Sequence, residues 1–431
     1  MREKPTNLRT FLTIWSGQFV SIFGSEMTSF AMTLWAWELT GKATPLSLLV
    51  FFTRTPRVIA ALFAGVIVDR FSRKKLMILG DGVAGVSTLI ILGLFLTHHL
   101  AIWHIYATAI INGLFGYFQG LAFSASMSLI VPEKHYARAS AMTFYVSYSG
   151  AEIIAPALAT LFYYAIGLGG ILVLDFTTFL IAIATLAIVT IPQPISSQET
   201  SETQETLGQQ LTFGFRYLLK RRGLLAILIF LFTVNLISTA GNGIYAPMIL
   251  ARSDNNAAIF ASVQSAWGIG GVIGAGVVSI WGGFQRRIHG LLLSTAFMGF
   301  AEMLLGLGQE AFIWIGAAFL IAFCSPWFGS SNQAIWLAKV EPEVQGRVFA
   351  TRYFIAQMTT PIGLGISGIL ADRVFEPAMR SQAGLAVLLG GIFGTEAGSG
   401  MALQYTLFGL GGVLVGLGAY SFPLLRRVES E

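Results

Sequence analysis

Apolar residues run along this chain in blocks of about twenty, separated by short polar connectors. A block of that length is what a helix needs to cross a bilayer, where no water is present to satisfy an open backbone. The pattern predicts twelve helices, at 11-37, 45-68, 76-96, 101-123, 138-166, 169-191, 224-250, 258-281, 288-307, 311-335, 347-370 and 401-424. The longest polar run, P-Q-P-I-S-S-Q-E-T-S-E-T-Q-E-T from Pro192 to Thr206, has no apolar face and reads as a linker. A basic amphipathic stretch, Leu207 to Arg222, follows it and is expected on the cytoplasmic surface. The expected organisation is a six-helix half at 1-191, a linker at 192-223 and a second six-helix half at 224-431. The one long outer connector, about 371-400, carries A-G-L-A-V-L-L-G-G-I-F-G; twelve residues are too few to span, so 383-394 is expected to be interfacial or re-entrant.

Composition strengthens this picture. Hydrophobic residues make up 55% of the 431 positions and charged residues 11%, with a mean hydropathy of +0.72, whereas soluble domains carry about 25% charged residues. The net charge of +5 would suit nucleic acid, but sidedness accounts for it. With the N-terminus inside, 19 of the 26 Lys and Arg fall in the even-numbered loops and the two tails, four fall in the odd loops, and Arg54, Arg57 and Arg352 lie inside spans. Both termini are therefore expected in the cytoplasm of a multi-pass inner-membrane protein that binds no nucleic acid. The first apolar block passes Glu26 to about Trp37 with no small-residue cleavage site, so a retained helix is expected rather than a signal peptide.

The two halves repeat. Gln18, Ser21, Gly24 and Ser25 stand 217 residues before Asn235, Ser238, Gly241 and Asn242; Arg73-Lys74 matches Arg286-Arg287 at 213, and Arg138 matches Arg347 at 209. Duplication of a six-helix unit, with shorter loops in the second copy, explains the series.

Between the second and third blocks lies G-V-I-V-D-R-F-S-R-K-K, residues 65 to 75. Its cations fit a cytoplasmic loop. Asp69, at a helix end, needs a cationic or dipolar partner. This segment resembles the loop signature of the major facilitator superfamily, G-x-x-x-D-R-x-x-R-[KR]-[KR]. The resemblance implies an all-α integral membrane fold of about twelve helices in two pseudo-symmetric six-helix halves, and alternating access to a central site. Gly65, Asp69, Arg70, Arg73 and Lys74 would then form a conformational latch; the plainer alternative is that the cations only set topology. The second-half counterpart, W-G-G-F-Q-R-R, has the cations without the acid.

Carboxylates inside spans need compensation. Glu26 lies beside Gln18, Ser21, Ser25 and Ser29; Glu152 shares a helical face with Tyr145, Ser149 and Pro156, at spacings of 4, 3 and 4. Either could load and release a proton as water access changes, or form a static ion pair with Arg54 or Arg57. Asp81, Asp175 and Glu38 sit near predicted span ends and are expected to be interfacial or capping. Arg352 is expected to snorkel or pair. Polar stripes run along the seventh block (Asn235, Ser238, Asn242, Tyr245) and the eleventh (Tyr353, Gln357, Thr360). With Gln18, Ser21, Ser25 and Tyr145 they would line a substrate cavity, or alternatively hold helices together.

Several chemistries are absent. The chain has no G-x-x-x-x-G-K-[ST], no H-E-x-x-H, one cysteine (Cys324) and five scattered histidines. ATP hydrolysis by a P-loop is excluded, and no metal, cofactor or enzymatic activity is expected. The driving energy would come from a gradient.

The loop, together with E-L-T-G at 38-41 and R-T-P-R at 54-57, resembles the macrolide-efflux and enterobactin-exporter-like branch of that superfamily. This implies a monomeric proton-driven exporter of an amphipathic drug or siderophore. Related antiporters carry a Gly-Pro-Gly-Gly signature in the fifth span; here G-A-E-I-I-A-P-A-L-A-T keeps only Gly150 and Pro156. The alternatives are an uncoupled facilitator or importer, and a transport-inactive receptor or assembly protein on the same fold.

Overall fold

A computed structural model of the chain describes residues 8-61, 67, 71-191, 207-341, 344-381 and 383-429. Gly65, Asp69 and Arg70 of the expected latch lie outside these residues. The described residues are helical, with no strand among them. The helices are α1 (Arg9–Thr40), α2 (Ala43–Ala61), α3 (Arg73–Leu96), α4 (Ile102–Ile130), α5 (Gly150–Ile188), α6 (Leu207–Lys220), α7 (Arg222–Arg252), α8 (Ala257–Trp281), α9 (Arg287–Leu307), α10 (Ala311–Lys339), α11 (Gln345–Gln357), α12 (Thr359–Leu370), α13 (Leu385–Phe393) and α14 (Ser399–Gly418). Among the described residues, eight helical runs are long and apolar enough to cross a membrane.

Local chemistry sets the joints. The fifth and sixth predicted spans form one run, α5, broken at Gly167, whose φ of 69° is open to glycine at little cost. Before it, Met142–Ser149 is π-helical. Asn256 caps α8 by accepting from the amides of Ala258 (3.0 Å) and Ile259 (3.1 Å). The eleventh span runs longer than expected: α12 continues through a π turn, Ala371–Phe375, into Glu376–Arg380. Within the apolar segment at 383-394 lies the short helix α13, with Val387 and Leu388 about three-quarters exposed.

The chain divides into two compact units. One comprises Met1–Leu39 with Phe52–Ser201, the other Thr40–Phe51 with Glu202–Glu431. The first two turns of α2 thus pack with the second unit, which an even split at the linker does not anticipate. Each unit has a buried apolar cluster at one end of its helices: Phe11, Ile14, Met77, Ile130 and Leu186 in the first; Ile227, Leu291, Trp336 and Val348 in the second. Large apolar residues elsewhere are bare, Ile188 at 80% and Ile280 at 91%, because hydrocarbon is their solvent. Without a hydrophobic drive between helices, close packing holds the helices of each unit to one another. A Cβ at Gly299 would lie 2.6 Å from the Gly409 carbonyl oxygen and the Val413 nitrogen. Gly299→Val should therefore cost about 1–3 kcal/mol and lower the thermal midpoint in detergent; Gly276→Ala, whose Cβ meets nothing within 4 Å, should leave it unchanged or raise it.

The repeat has a structural register. Arg73 opens α3 and donates to the Ala125 carbonyl at 2.6 Å; Arg287 opens α9 and donates to the Ala334 carbonyl at 3.0 Å. Arg287, not Arg286, is therefore the counterpart of Arg73, 214 residues on. Lys74 donates to the carbonyls of Ala187 (3.0 Å) and Val189 (2.7 Å), so both cations clamp helix ends inside the first unit.

In the second unit α6 is tied down by Arg221, which bonds Glu341 and Tyr217, while Tyr217 donates to Glu341. These bonds hold the Glu341 carboxyl at about 2, below its ordinary 4.5. A depressed carboxyl stabilises the fold fully above its ordinary value and loses that contribution as pH falls toward the folded one. Docking of α6 should weaken between about pH 4.5 and pH 2. Limited proteolysis of the 192-206 linker across that window should show the release, and Glu341→Gln should show it already at neutral pH.

Candidate functional site

The first unit carries the chemistry. Glu26 on α1, Arg54 and Arg57 on α2, Tyr148 in the π turn and Glu152 on α5 are all exposed side chains. They act on one another electrostatically: Glu26 with Glu152, Arg57 and Arg54; Arg54 with Arg57 and Glu152; Tyr148 with Arg57 and Glu26. Among the described residues none of the four charges forms a direct ion pair. The static pair allowed by the sequence is therefore not what is seen. Two acids and two bases are exposed and close enough to act on one another. Pro156 cannot donate to the Glu152 carbonyl four residues earlier, so the backbone is also loosened there.

Two further carboxylates correct the sequence reading. Asp81 and Asp175 are buried, at 4% and 2% exposure, rather than interfacial. Asp81 accepts from Gln18 Nε2 at 2.8 Å and Gln119 Nε2 at 3.3 Å, and Gln119 also donates to Gln18 Oε1. Asp175 accepts from Thr88 Oγ1 at 3.1 Å, with Ser25 and Thr28 facing it. A buried carboxylate persists where amides and hydroxyls replace its water, and these do so across α1, α3, α4 and α5. Gln18 and Ser21 are buried with them, so neither lies on an open face. Ser25 is half-buried. Tyr145 falls in the π turn, its side chain outside the described residues.

In the second unit Asn235 and Ser238 are half-buried and Asn242 is exposed, with Asn242 Nδ2 donating to the Ser238 carbonyl at 3.1 Å. Tyr245 departs from the stripe: it is buried against Phe260 and Trp267, ring centroids 5.9 and 5.6 Å away. Tyr353 is exposed and accepts from Gln357 Nε2 at 3.0 Å, and Thr360 donates to Gln357 Oε1 at 3.4 Å, so the expected spacing makes one connected row. Arg352 lies 5.0 Å over the Trp336 ring and donates to Gln333 Oε1 at 3.3 Å, a stacked cation rather than a snorkelling one. Sequence reasoning missed Glu302, buried on α9 near Tyr405. It stands 214 residues after Thr88, which faces Asp175 in the first unit. An acid inside the ninth block was the available signal.

The Major Facilitator Superfamily model matches residues 14–288. The chain belongs to the major facilitator superfamily. Within it, the chain is 28% identical over 378 residues to Macrolide efflux protein A of Streptococcus pyogenes, covering 86% of this chain and 92% of that one. It is 27% identical over 305 residues to Macrolide efflux protein A of Enterococcus faecalis, covering 70% and 93%. Among solved structures, a POT family transporter in complex with a thioalcohol-conjugated peptide superposes with a TM-score of 0.69 at 12% identity, covering 97% and 98%; that likeness shows the twelve-helix fold. As a superfamily member the chain is a secondary transporter, a multi-pass membrane protein that moves a small molecule. Members of this superfamily work by rearranging helices around a site, and an open charged face on spanning helices is what such a site offers to a cargo or a coupling ion.

Proposed function

We propose that this transporter is a proton-coupled exporter of an amphipathic small molecule of macrolide type, with both termini in the cytoplasm. One observation carries the reading: Glu26, Arg54, Arg57 and Glu152 lie exposed on α1, α2 and α5 and act on one another, with no direct ion pair among the described residues. Charge is retained inside an apolar block where it works. When either carboxylate binds a proton, the arginines lose a counter-charge and the balance of the face changes by one unit. That change is the coupling step: proton and cargo compete for the same face, so entry of one favours departure of the other.

Asn235, Ser238, Asn242, Tyr353 and Gln357 in the second unit, and Ser25 in the first, are the candidates for polar contacts to cargo; Gln18, Ser21 and Tyr245 are left out because their side chains are buried. Gly65, Asp69 and Arg70 carry the switching role of the cytoplasmic latch, and Arg73 and Lys74 form its base, since both already hold backbone carbonyls. The names of the two macrolide-efflux relatives support the cargo class. The test is transport of a labelled macrolide by the purified monomer in liposomes: accumulation driven by a proton gradient supports the reading, and gradient-independent equilibration would leave an uncoupled facilitator.

A further inference from the structure

The pattern G-x-x-x-D-R occurs twice in this chain: at Gly65 to Arg70, ending the second span, and at Gly368 to Arg373, ending the eleventh. The two copies are not related by the internal repeat, which would place the second copy in the eighth span. They lie, in the proposed topology, on opposite sides of the membrane. The second copy is fully described. Asp372 accepts from the backbone amides of Ala43 at 3.0 Å and Thr44 at 2.8 Å. These are the first two residues of α2, whose amides have no partner within the helix and whose positive dipole end favours a carboxylate. Gly368 lets the backbones meet, since a Cβ there would lie 2.6 Å from Thr44 Cα.

One turn along, Ser47 donates to the Gly243 carbonyl of α7 at 2.5 Å and lies 3.3 Å from Ser367 Oγ. The Gly243 carbonyl is free to accept because Pro247, four residues on, has no amide to offer it. These contacts lie within the second unit, to which residues 40-51 belong although the rest of α2 belongs to the first.

We infer that Gly368 and Asp372 are positioning residues of an outer latch that holds the first turns of α2 on α12 and α7, and whose release opens the carrier outward. The inference rests on the proposed topology and on alternating access. In the proposed mechanism the motif at 65-70 would do the reverse task on the cytoplasmic side. Asp372→Asn weakens the electrostatic grip, and Gly368→Ala forces the backbones apart without touching a charge.

The test uses the full chain with Cys324, its one cysteine, replaced by alanine. A cysteine at Leu46, 2% exposed on the gripped segment, reports opening through its reaction with a membrane-impermeant maleimide added outside intact cells. A cysteine at Lys42, exposed just before α2, reports sidedness. Lys42→Cys should label from outside in every background. Leu46→Cys should be protected in the parent and should label about tenfold faster with either Asp372→Asn or Gly368→Ala, a shift matching the typical worth of a charge-assisted cap. Asp372→Glu should restore much of the protection. Labelling within twofold of the parent in either variant would overturn the latch. Lys42→Cys reacting only from the cytoplasmic side would instead overturn the topology and, with it, the outer placement.

Discussion

Replacing Glu26 and Glu152 together by glutamine is expected to abolish the response of export to a pH gradient, and each single replacement to cut it at least about tenfold, the effect of roughly 1.4 kcal/mol of lost coupling. The geometry sets this expectation. The two acids and two arginines act on each other without locking into a pair, so protonating one carboxylate alters the field at the other three groups. Glutamine keeps the shape and the hydrogen-bonding reach and removes only the proton chemistry. It also leaves Arg54 and Arg57 without counter-charge, so the double variant should bind cationic cargo more weakly and anionic cargo more strongly than the parent. Counterflow exchange, which needs no proton, should survive. Cargo exchange in the absence of a gradient, read beside gradient-driven accumulation, separates loss of coupling from loss of fold.

The second large effect is expected at Asp69. Asp69→Asn should lower flux by at least about tenfold while membrane insertion and thermal stability stay near the parent's. Arg73 and Lys74 already spend their charge on the carbonyls of Ala125, Ala187 and Val189 within the first unit. They make a rigid base rather than a switch. Replacing either by alanine should destabilise the protein more than it slows transport, the opposite profile. The sequence puts Asp69 at the end of an apolar block, where an acid needs a cationic or dipolar partner. The amides of Ala43 and Thr44 play this part for Asp372. Measuring flux and melting temperature for Asp69→Asn and Arg73→Ala side by side checks both halves of the statement; equal flux in Asp69→Asn and parent would remove the latch.

What the sequence made legible follows from how far each signal reaches. Block lengths report the bilayer, so the spans were readable, and the break between the fifth and sixth fell at Gly167, where a positive φ is needed. The open charges were readable because charge in a span has few bland explanations. Direction within a helix was harder. Gln18 and Tyr245 lie on polar stripes, yet each turns inward, Gln18 to meet Asp81 and Tyr245 to pack on Trp267. A stripe fixes spacing and not which neighbour fills the face. Asp81 and Asp175 were misplaced for the same reason: their burial depends on Gln119 and Thr88, far away in sequence. The grip on α2 was invisible because its two copies of G-x-x-x-D-R occupy positions that the repeat does not pair, and which unit a helix turn joins is not a local property.

The most direct measurement is accumulation of a labelled macrolide by the purified protein in liposomes under three conditions: acid lumen, no gradient, and alkaline lumen. Proton-coupled export through the Glu26, Arg54, Arg57 and Glu152 face predicts uptake above equilibrium with an acid lumen only, reduced to simple equilibration in the Glu26→Gln, Glu152→Gln double variant. Uptake that is the same in all three conditions, or a double variant that still concentrates cargo when the lumen is acid, would contradict it.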